Sequence, residues 1–462
     1  MTLNSSSQQN WGTHIRASVK LSLPLIGSHL AQMLTNTTDV VMMGWYSVEG
    51  LAAVVLATSS FFLFFIVGSG FAFAVMPMAA TALGADEPAQ VRRSVRMGGW
   101  LVLLYGAMSM VPLLYMEQIL LALGQEAPLA AIAGDYMQIA AWGIFPGLLI
   151  MLLKSFFSAL ERAGVVLAAT LLGAGANVIF NYAFIFGNFG APEMGAEGAA
   201  LASLLTTGLA CLFLVVYAGI GKDFKSFDLF RKPLRPDWPA FKEVFRLGAP
   251  IGLTMLAESG LFSGSAILVG WFGTIPLAAH GIVIQIAAIA FMIPLGVSNV
   301  ATIRAGRALG RKSISDLKRS SVVVLVMGLL ISSFTITCYL LFPSELVALF
   351  MNANAEDTRQ IVEIGVGLVM VAAAFQLVDS MQVIALGLLR GVKDTTAPMV
   401  IAVIAYWGLG MPGGYILGFH LGYGAQGVWM GLVIGLGFAA VVLLWRYWVV
   451  LGRTTARLQG HQ

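Results

Sequence analysis

Apolar residues run along this chain in long blocks separated by short polar or charged breaks, and the blocks, about twenty residues or more, match a bilayer's hydrocarbon core when wound as helices. Twelve such blocks are predicted, at 17–43, 51–83, 95–115, 128–154, 163–186, 196–219, 245–272, 277–303, 320–342, 360–388, 397–418 and 427–450. None shows the ten-residue alternation of a transmembrane barrel, so the pattern predicts helices. The polar interruptions are then the informative part. Ser28, Gln32, Thr35 and Asp39 are spaced four, three and four apart in the first block and share one helical face. Glu258 and Asp379 sit inside apolar blocks far away in sequence, with Thr254 and Ser265 near the first acid and Gln376 and Gln382 near the second. Asn177 and Asn181, four apart in the fifth block, add a pair of amides.

A carboxylate at mid-bilayer costs about 2.5 to 3.5 kcal/mol on insertion scales, and such residues mark ion or proton pathways. The bland alternative is a protonated acid hydrogen-bonded between helices as glue, and the same holds for the two amides. Asp39 lies far enough into its block to stand close to the outer interface. Three acids in one chain favour a coupled set that titrates together or holds a hard cation. They could equally hold a cationic substrate. Exchange between substrate and coupling ion at shared charges would then be the mechanism.

Composition agrees with a membrane protein: 58% of the 462 residues are hydrophobic, 10% are charged and mean hydropathy is +0.87. Charge sorting sets orientation. Alternating the loops between the two sides gathers every Lys and Arg except Arg359 on the side of both termini, which is therefore cytoplasmic. Glu49, Glu117, Glu126, Glu193, Glu197, Glu345, Glu356 and Asp357 fall opposite. The polar N-terminus carries no cleavable signal sequence, and the net charge of +4 implies no nucleic acid. Cys211 and Cys338 read as inert buried thiols.

The chain is internally duplicated. A constant offset aligns Pro24 with Pro250, Gly44-Trp45 with Gly270-Trp271, Leu51-Ala52-Ala53 with Leu277-Ala278-Ala279, Gly70 with Gly296 and Arg93 with Arg319. Near the ends the offset grows slightly, pairing GAEGA at Gly195 with GAQGV at Gly424. The expected domains are a six-helix lobe at 1–220, a cytoplasmic linker at 221–243 holding Lys222, Lys225, Arg231, Lys232 and Pro233, and a second six-helix lobe at 244–462. Even span numbers give both copies one orientation, related by an axis along the membrane normal. The acids break this symmetry: Asp39 aligns with Ser265, and Glu258 with Gln32.

Weaker signals keep two readings each. Phe61, Phe62, Phe64, Phe65, Phe71 and Phe73 line a greasy cavity or pack, Met33 and Met255 suit an adaptable binding surface, and His280 packs or carries protons. Trp45 and Trp271 suit interfacial anchors, and the sequon at Asn36 is discarded because it lies within a span. No P-loop and no H-E-x-x-H are present, so neither a nucleotide motor nor a zinc protease is predicted. An intramembrane aspartyl protease would need Gly-x-Gly-Asp, which is absent. A sensor or structural role leaves the three acids without a purpose. A flippase for lipid-linked precursors would want basic residues at mid-membrane, where no block has one.

Several strings resemble a known family: TTDVVMMG at 37–44, FRLGAPIGLTMLAESGLF at 245–262, LAAHGI at 277–282, IRAGRALG at 303–310, VDSMQVIALGLLRGVKDTTAP at 378–398 and YWGLGMPGGYILG at 406–418. Together they are similar to the multidrug and toxic compound extrusion (MATE) family, in its NorM-like branch. The most specific part is the Asp-x-x-Gln-x-x-x-x-Gly-x-x-Arg-Gly-x-x-Asp string from Asp379 to Asp394.

The resemblance implies an all-α membrane protein of twelve helices in two pseudo-symmetric lobes. It would be a secondary antiporter, not an enzyme, exporting cationic aromatic drugs or dyes against Na+ or H+ by alternating access. It further implies a monomer in the bacterial inner membrane with no cofactor beyond that coupling ion. Asp39 corresponds to the essential first-lobe acid. Glu258 and Asp379, with Asn177 and Asn181, correspond to a second-lobe Na+ set, supported by the polar groups of Gln32 and Gln376. Met33, Thr35, Met255 and Phe375 would line the substrate cavity. Phe375 stands where relatives commonly have Tyr, and the missing hydroxyl weakens the case for sodium.

Overall fold

A computed structural model describes residues 10–221, 224, 227–229, 232–351 and 358–459. Lys222, Lys225, Arg231, Glu356 and Asp357, all used above in assigning sides or the linker, lie outside the described residues. The described residues form helices and turns without strands. Twelve helices are long: α1 (Trp11–Tyr46), α2 (Val48–Gly84), α3 (Pro88–Leu114), α4 (Ala127–Ala159), α5 (Ala163–Phe184), α6 (Gly195–Ile220), α7 (Trp238–Gly270), α8 (Thr274–Gly310), α9 (Ile314–Leu341), α10 (Thr358–Gly391), α11 (Thr396–His420) and α12 (Gly424–Gln459).

Eleven of these are long and apolar enough to cross a membrane, and α1 is the exception. Its run of Gln32, Thr35, Asn36, Thr37, Thr38 and Asp39 lowers its hydropathy, which is the polar stripe itself. Chain punctuation follows familiar chemistry. Ser47 caps α2 by accepting the Gly50 N–H at 3.1 Å, and Pro88 opens α3 where no intrahelical donor is needed.

The repeat is visible in backbone geometry. Gly195 and Gly424, equivalent in the repeat, open α6 and α12 at φ +55° and +57°, a conformation that only glycine adopts cheaply. One very close helix contact lies between α11 and α12. Gly410, Gly414 and Gly418 face Gly435, Gly431 and Gly427, and a Cβ on Gly431 would run into the Gly414 backbone. Helices this close need small residues at every fourth position. Along α11, Ile404–Gly410 and Ile416–His420 wind as π-helix around Pro412, whose missing N–H breaks the ordinary ladder.

The chain divides into two compact units whose borders differ from those expected. The first lobe is Gly27–Gly252; the second is Leu253 onward together with the start of the chain up to Ile26. Both borders fall inside helices, in α1 and α7, just after Pro24 and Pro250, at positions that the repeat makes equivalent. Close backbone contact explains the exchange. In the first lobe Gly70 of α2 meets Gly248 and Gly252 of α7; in the second, its repeat mate Gly296 of α8 meets Ile26 of α1. Each lobe thus includes the opening segment of the other repeat's first helix.

The connection expected as a linker is docked on the first lobe. Phe224 and Phe227 are buried against Phe156, with Phe157 and Tyr217 beside Phe224. The Trp100 indole donates to the Pro233 carbonyl at 3.0 Å. Asp237 pins the start of α7 to α3. Its carboxylate accepts both the Nε and, at 3.0 Å, the Nη2 of Arg93, lies 3.7 Å from Arg96, and accepts the Ala240 N–H at 3.2 Å. These donors, the Arg93 guanidinium first, hold the Asp237 carboxyl below its ordinary range.

The repeat equivalents of Arg93 and Asp237 are Arg319 and Trp11, and in the second lobe the Arg319 guanidinium stands over the Trp11 ring at 6.0 Å. His14, buried on the same stretch of α1, accepts from Arg304 Nη2 at 2.8 Å and faces Asp316 at 3.4 Å.

Candidate functional site

The two lobes each hold acid inside their helix packing, in different states. In the first lobe the Asp39 carboxylate is surrounded by donors. Its Oδ1 accepts the side-chain amides of Asn177 at 2.8 Å and Asn181 at 2.6 Å, and its Oδ2 accepts the Ser203 hydroxyl at 3.3 Å. The four-residue spacing on α5 puts both amides on one face, and α6 brings Ser203 from the opposite flank. Asn181 also donates to Asn177 Oδ1 at 3.2 Å, and its own Oδ1 is buried with no partner among the described residues. Tyr136 of α4 is within hydrogen-bond reach of Ser203 and in the field of Asp39. Three donors thus converge on one carboxyl, and the Asn181 amide oxygen beside it adds an acceptor.

In the second lobe Asp379 is 2% exposed, and among the described residues its Oδ1 and the Oε1 of Glu258 have no hydrogen-bond partner. Glu258 and Asp379 lie in each other's electrostatic field, Arg390 lies in that of Glu258, and Tyr406 lies in that of all three. Gln382 donates to the Tyr406 hydroxyl at 2.5 Å.

The specific string on α10 acquires a physical reading residue by residue. Gly387 and Gly391 are small because Ser298 and Thr302 of α8 press on them, with the Ser298 hydroxyl donating to the Val383 carbonyl at 2.6 Å and Thr302 to that of Gly387 at 2.9 Å. Asp394 closes the string by accepting from Arg446 of α12 at 2.7 Å.

Of the expected Na+ set, Asn177 and Asn181 meet Asp39, whereas Glu258 and Asp379 lie in the other compact unit. Sequence spacing showed that the amides share a face and gave no sign of which acid they met.

Along the stripe of α1, Ser28 and Thr35 are buried but Gln32 is exposed and Met33 half-buried, and the Thr35 hydroxyl is spent on the Ala31 carbonyl at 3.0 Å. Met255 is half-buried. Phe375 is packed between Phe262 and Trp429, with ring centroids 6.0 and 5.4 Å away. His280 accepts the Trp429 indole N–H at 3.0 Å, which accounts for it as a packing residue. Phe71 packs on Phe245 and Tyr105.

Tyr136, Ser203, Arg390 and Tyr406 were not picked out by sequence. Arg390 and Tyr406 lay inside the strings that carried the family resemblance, whereas Ser203 and Tyr136 had no distinguishing pattern. The end of α1, the start of α2 and the first turns of α4 and α6 line a hollow of about 250 Å³ whose wall includes Tyr46, Glu49, Asp135 and Glu197.

A family model for MatE matches residues 24–183 and again 250–416, two copies that begin at the repeat-equivalent prolines Pro24 and Pro250. The chain belongs to the MatE family. It is 48% identical over 451 residues to a "Probable multidrug resistance protein NorM" of Rhizobium meliloti, covering 97% of this chain and 96% of that one. Among solved structures, a MATE protein in complex with MaL6 superposes with a TM-score of 0.88 at 20% identity, covering 96% of this chain and 97% of the other. A MOP superfamily transporter from Pyrococcus furiosus, described as having a binding pocket of reverse polarity that suggests a different function, superposes at 0.86 and 20% identity, covering 97% and 100%. The MatE chain is therefore a multi-pass membrane transporter with the MATE fold and not an enzyme.

Proposed function

We propose that this transporter is a multidrug efflux antiporter that moves organic, mostly cationic aromatic compounds outward in exchange for H+ or Na+. It sits in the bacterial inner membrane with both termini cytoplasmic. The observation that carries the reading is the Asp39 cradle: a carboxylate with donors on both oxygens, on the one long helix too polar to count as an ordinary span. A negative charge kept inside a membrane protein at such effort is suited to a cation. The multidrug name of the Rhizobium meliloti relative supports the substrate class, and the duplicated sequence supports alternating access.

The MATE fold alone does not fix the function, since the Pyrococcus furiosus transporter is described as having a pocket of reverse polarity that suggests a different one. A flippase for anionic lipid-linked precursors is the second reading. Lys154 and Arg390, two basic residues that enter the packing, stand near the ends of α4 and α10, and Arg390 answers Glu258; neither forms a phosphate clamp.

The test is efflux of ethidium from proteoliposomes under an imposed cation gradient, comparing wild type with Asp39→Asn. Gradient-driven transport that Asp39→Asn lowers to the level of empty liposomes is expected. Folded wild-type protein that moves no cationic dye under either a sodium or a pH gradient would overturn the antiporter and favour the flippase.

A further inference from the structure

The start of α1 is fastened to the second lobe by a buried histidine. His14 is fully buried, and Arg304 of α8 and Asp316 in the first turn of α9 are each 5% exposed beside it. Arg304 Nη2 stands 2.8 Å from His14 Nδ1, and Asp316 Oδ1 stands 3.4 Å from His14 Nε2. Arg311, just past the end of α8, lies 3.4 Å from the other oxygen of Asp316 and in the electrostatic field of the ring. Arg319, further along α9, stands over Trp11. All of these residues belong to one compact unit.

The geometry fixes the protonation state of the ring. A guanidinium only donates, so the Nδ1 that meets Arg304 carries the lone pair, and the ring proton is on Nε2 facing Asp316. Neither Nε2 nor Asp316 Oδ1 has a hydrogen-bond partner elsewhere among the described residues. A second proton would set an N–H against the guanidinium of Arg304. It would also add a third positive charge to two arginines that share one carboxylate. Protonation of His14 and its contact with Arg304 therefore exclude each other.

The first lobe solves the equivalent problem with different chemistry. The repeat aligns Ala240 with His14, Gln90 with Asp316 and Met78 with Arg304, so no group that titrates near neutral pH stands at those positions. The start of α7 is fastened instead by Asp237, whose carboxylate holds Arg93 and the Ala240 N–H and stays charged well below neutral pH. One helix start has a clamp that ignores pH near neutrality; the other has a clamp built on the side chain that responds to it.

We propose that His14 is a pH-operated latch on the side of both termini: neutral, it fastens the first turns of α1 to the second lobe, and protonated, it releases them. From Gly27 onward α1 belongs to the first lobe and carries Asp39, so the latch sets how firmly the second lobe keeps hold of the helix that bears the first lobe's acid. The proton comes from solvent and ends on Nδ1, and the hydrogen bond from Arg304 is what it replaces. A released histidine takes up that proton near pH 6.5, so the latch is at full strength above this value, and each pH unit below it favours release about 10-fold. The proposal depends on neither the cargo nor the coupling ion.

The test is amide hydrogen exchange of the full-length protein in detergent at pH 8 and pH 5.5, corrected for the intrinsic exchange rate at each pH, for wild type and His14→Gln. A glutamine amide can accept from Arg304 and donate to Asp316 without titrating. In wild type, protection of 15–26 should fall about 10-fold between pH 8 and pH 5.5, while that of 242–252 at the start of α7 should change less than about 2-fold. In His14→Gln the fall at 15–26 should vanish. Equal wild-type protection of 15–26 at both pH values, a fall of the same size at 242–252, or an undiminished fall in His14→Gln would overturn the latch. Should His14→Gln not fold, the two helix starts of the wild type decide by themselves.

Discussion

Asp39 and Asp379 are both aspartates inside apolar helices, yet their surroundings are opposite. Asp39 receives Asn177, Asn181 and Ser203, so its charge is supported by donors already in place. Asp379 has a bare Oδ1, a neighbouring acid in Glu258 and an unpartnered amide in Gln376. The duplicated scaffold therefore carries one carboxylate surrounded by donors and one underbonded acid pair.

Exchanging each acid for its amide probes the difference most strongly. Asp39→Asn should abolish gradient-driven dye transport and also destabilise the protein by about 2 kcal/mol, because a new N–H group would face the donors of Asn177 and Asn181. Asp379→Asn should abolish coupling without loss of stability, since no donor among the described residues depends on Oδ1. Transport assays paired with thermal unfolding in detergent read both effects.

Asn181→Leu sharpens the first-lobe half of the comparison. Losing the 2.6 Å donor should cost about 1 to 3 kcal/mol and weaken dye-coupled transport while leaving some activity through Asn177.

The smallest effects lie at the ends of α1 and α7, where the lobes differ again. Asp237→Ala removes a helix cap and an ion pair to Arg93, and should cost about 1 kcal/mol of first-lobe stability. Because the Asp237 carboxyl is held below its ordinary range, that stabilisation is present above about pH 4, the unfolded value, and is lost as pH falls through the lower folded value. Acid unfolding of wild type and Asp237→Ala should therefore converge at low pH. At the repeat-equivalent position, Arg319→Ala disturbs the contact over Trp11 and should cost no more than about 0.5 to 1 kcal/mol, with no convergence in acid.

The parts of this molecule legible in sequence were those with a periodic or unsupported signal. Twelve helices, the internal repeat and the three acids were all readable, because a bilayer makes apolar length and misplaced charge conspicuous. The borders of the lobes were not, since they fall inside α1 and α7, where no polar break marks the exchange; the close contacts of Gly70 and Gly296 that cause it become meaningful only in three dimensions. The pairing of Asn177 and Asn181 with Asp39 was hidden for the same reason: helical spacing fixes which residues share a face, and nothing in it names the facing helix. Gln376 was visible as a polar neighbour of Asp379, but its lack of partners is a property of the packed lobe alone.

The two lobes hold their acids in different surroundings. That difference is tested most directly by measuring, in one preparation, the thermal midpoint and the gradient-driven dye efflux of Asp39→Asn and Asp379→Asn. The account predicts that both lose transport and that only Asp39→Asn unfolds at lower temperature than wild type. An equal drop in midpoint for both variants, or wild-type transport by either, would contradict it.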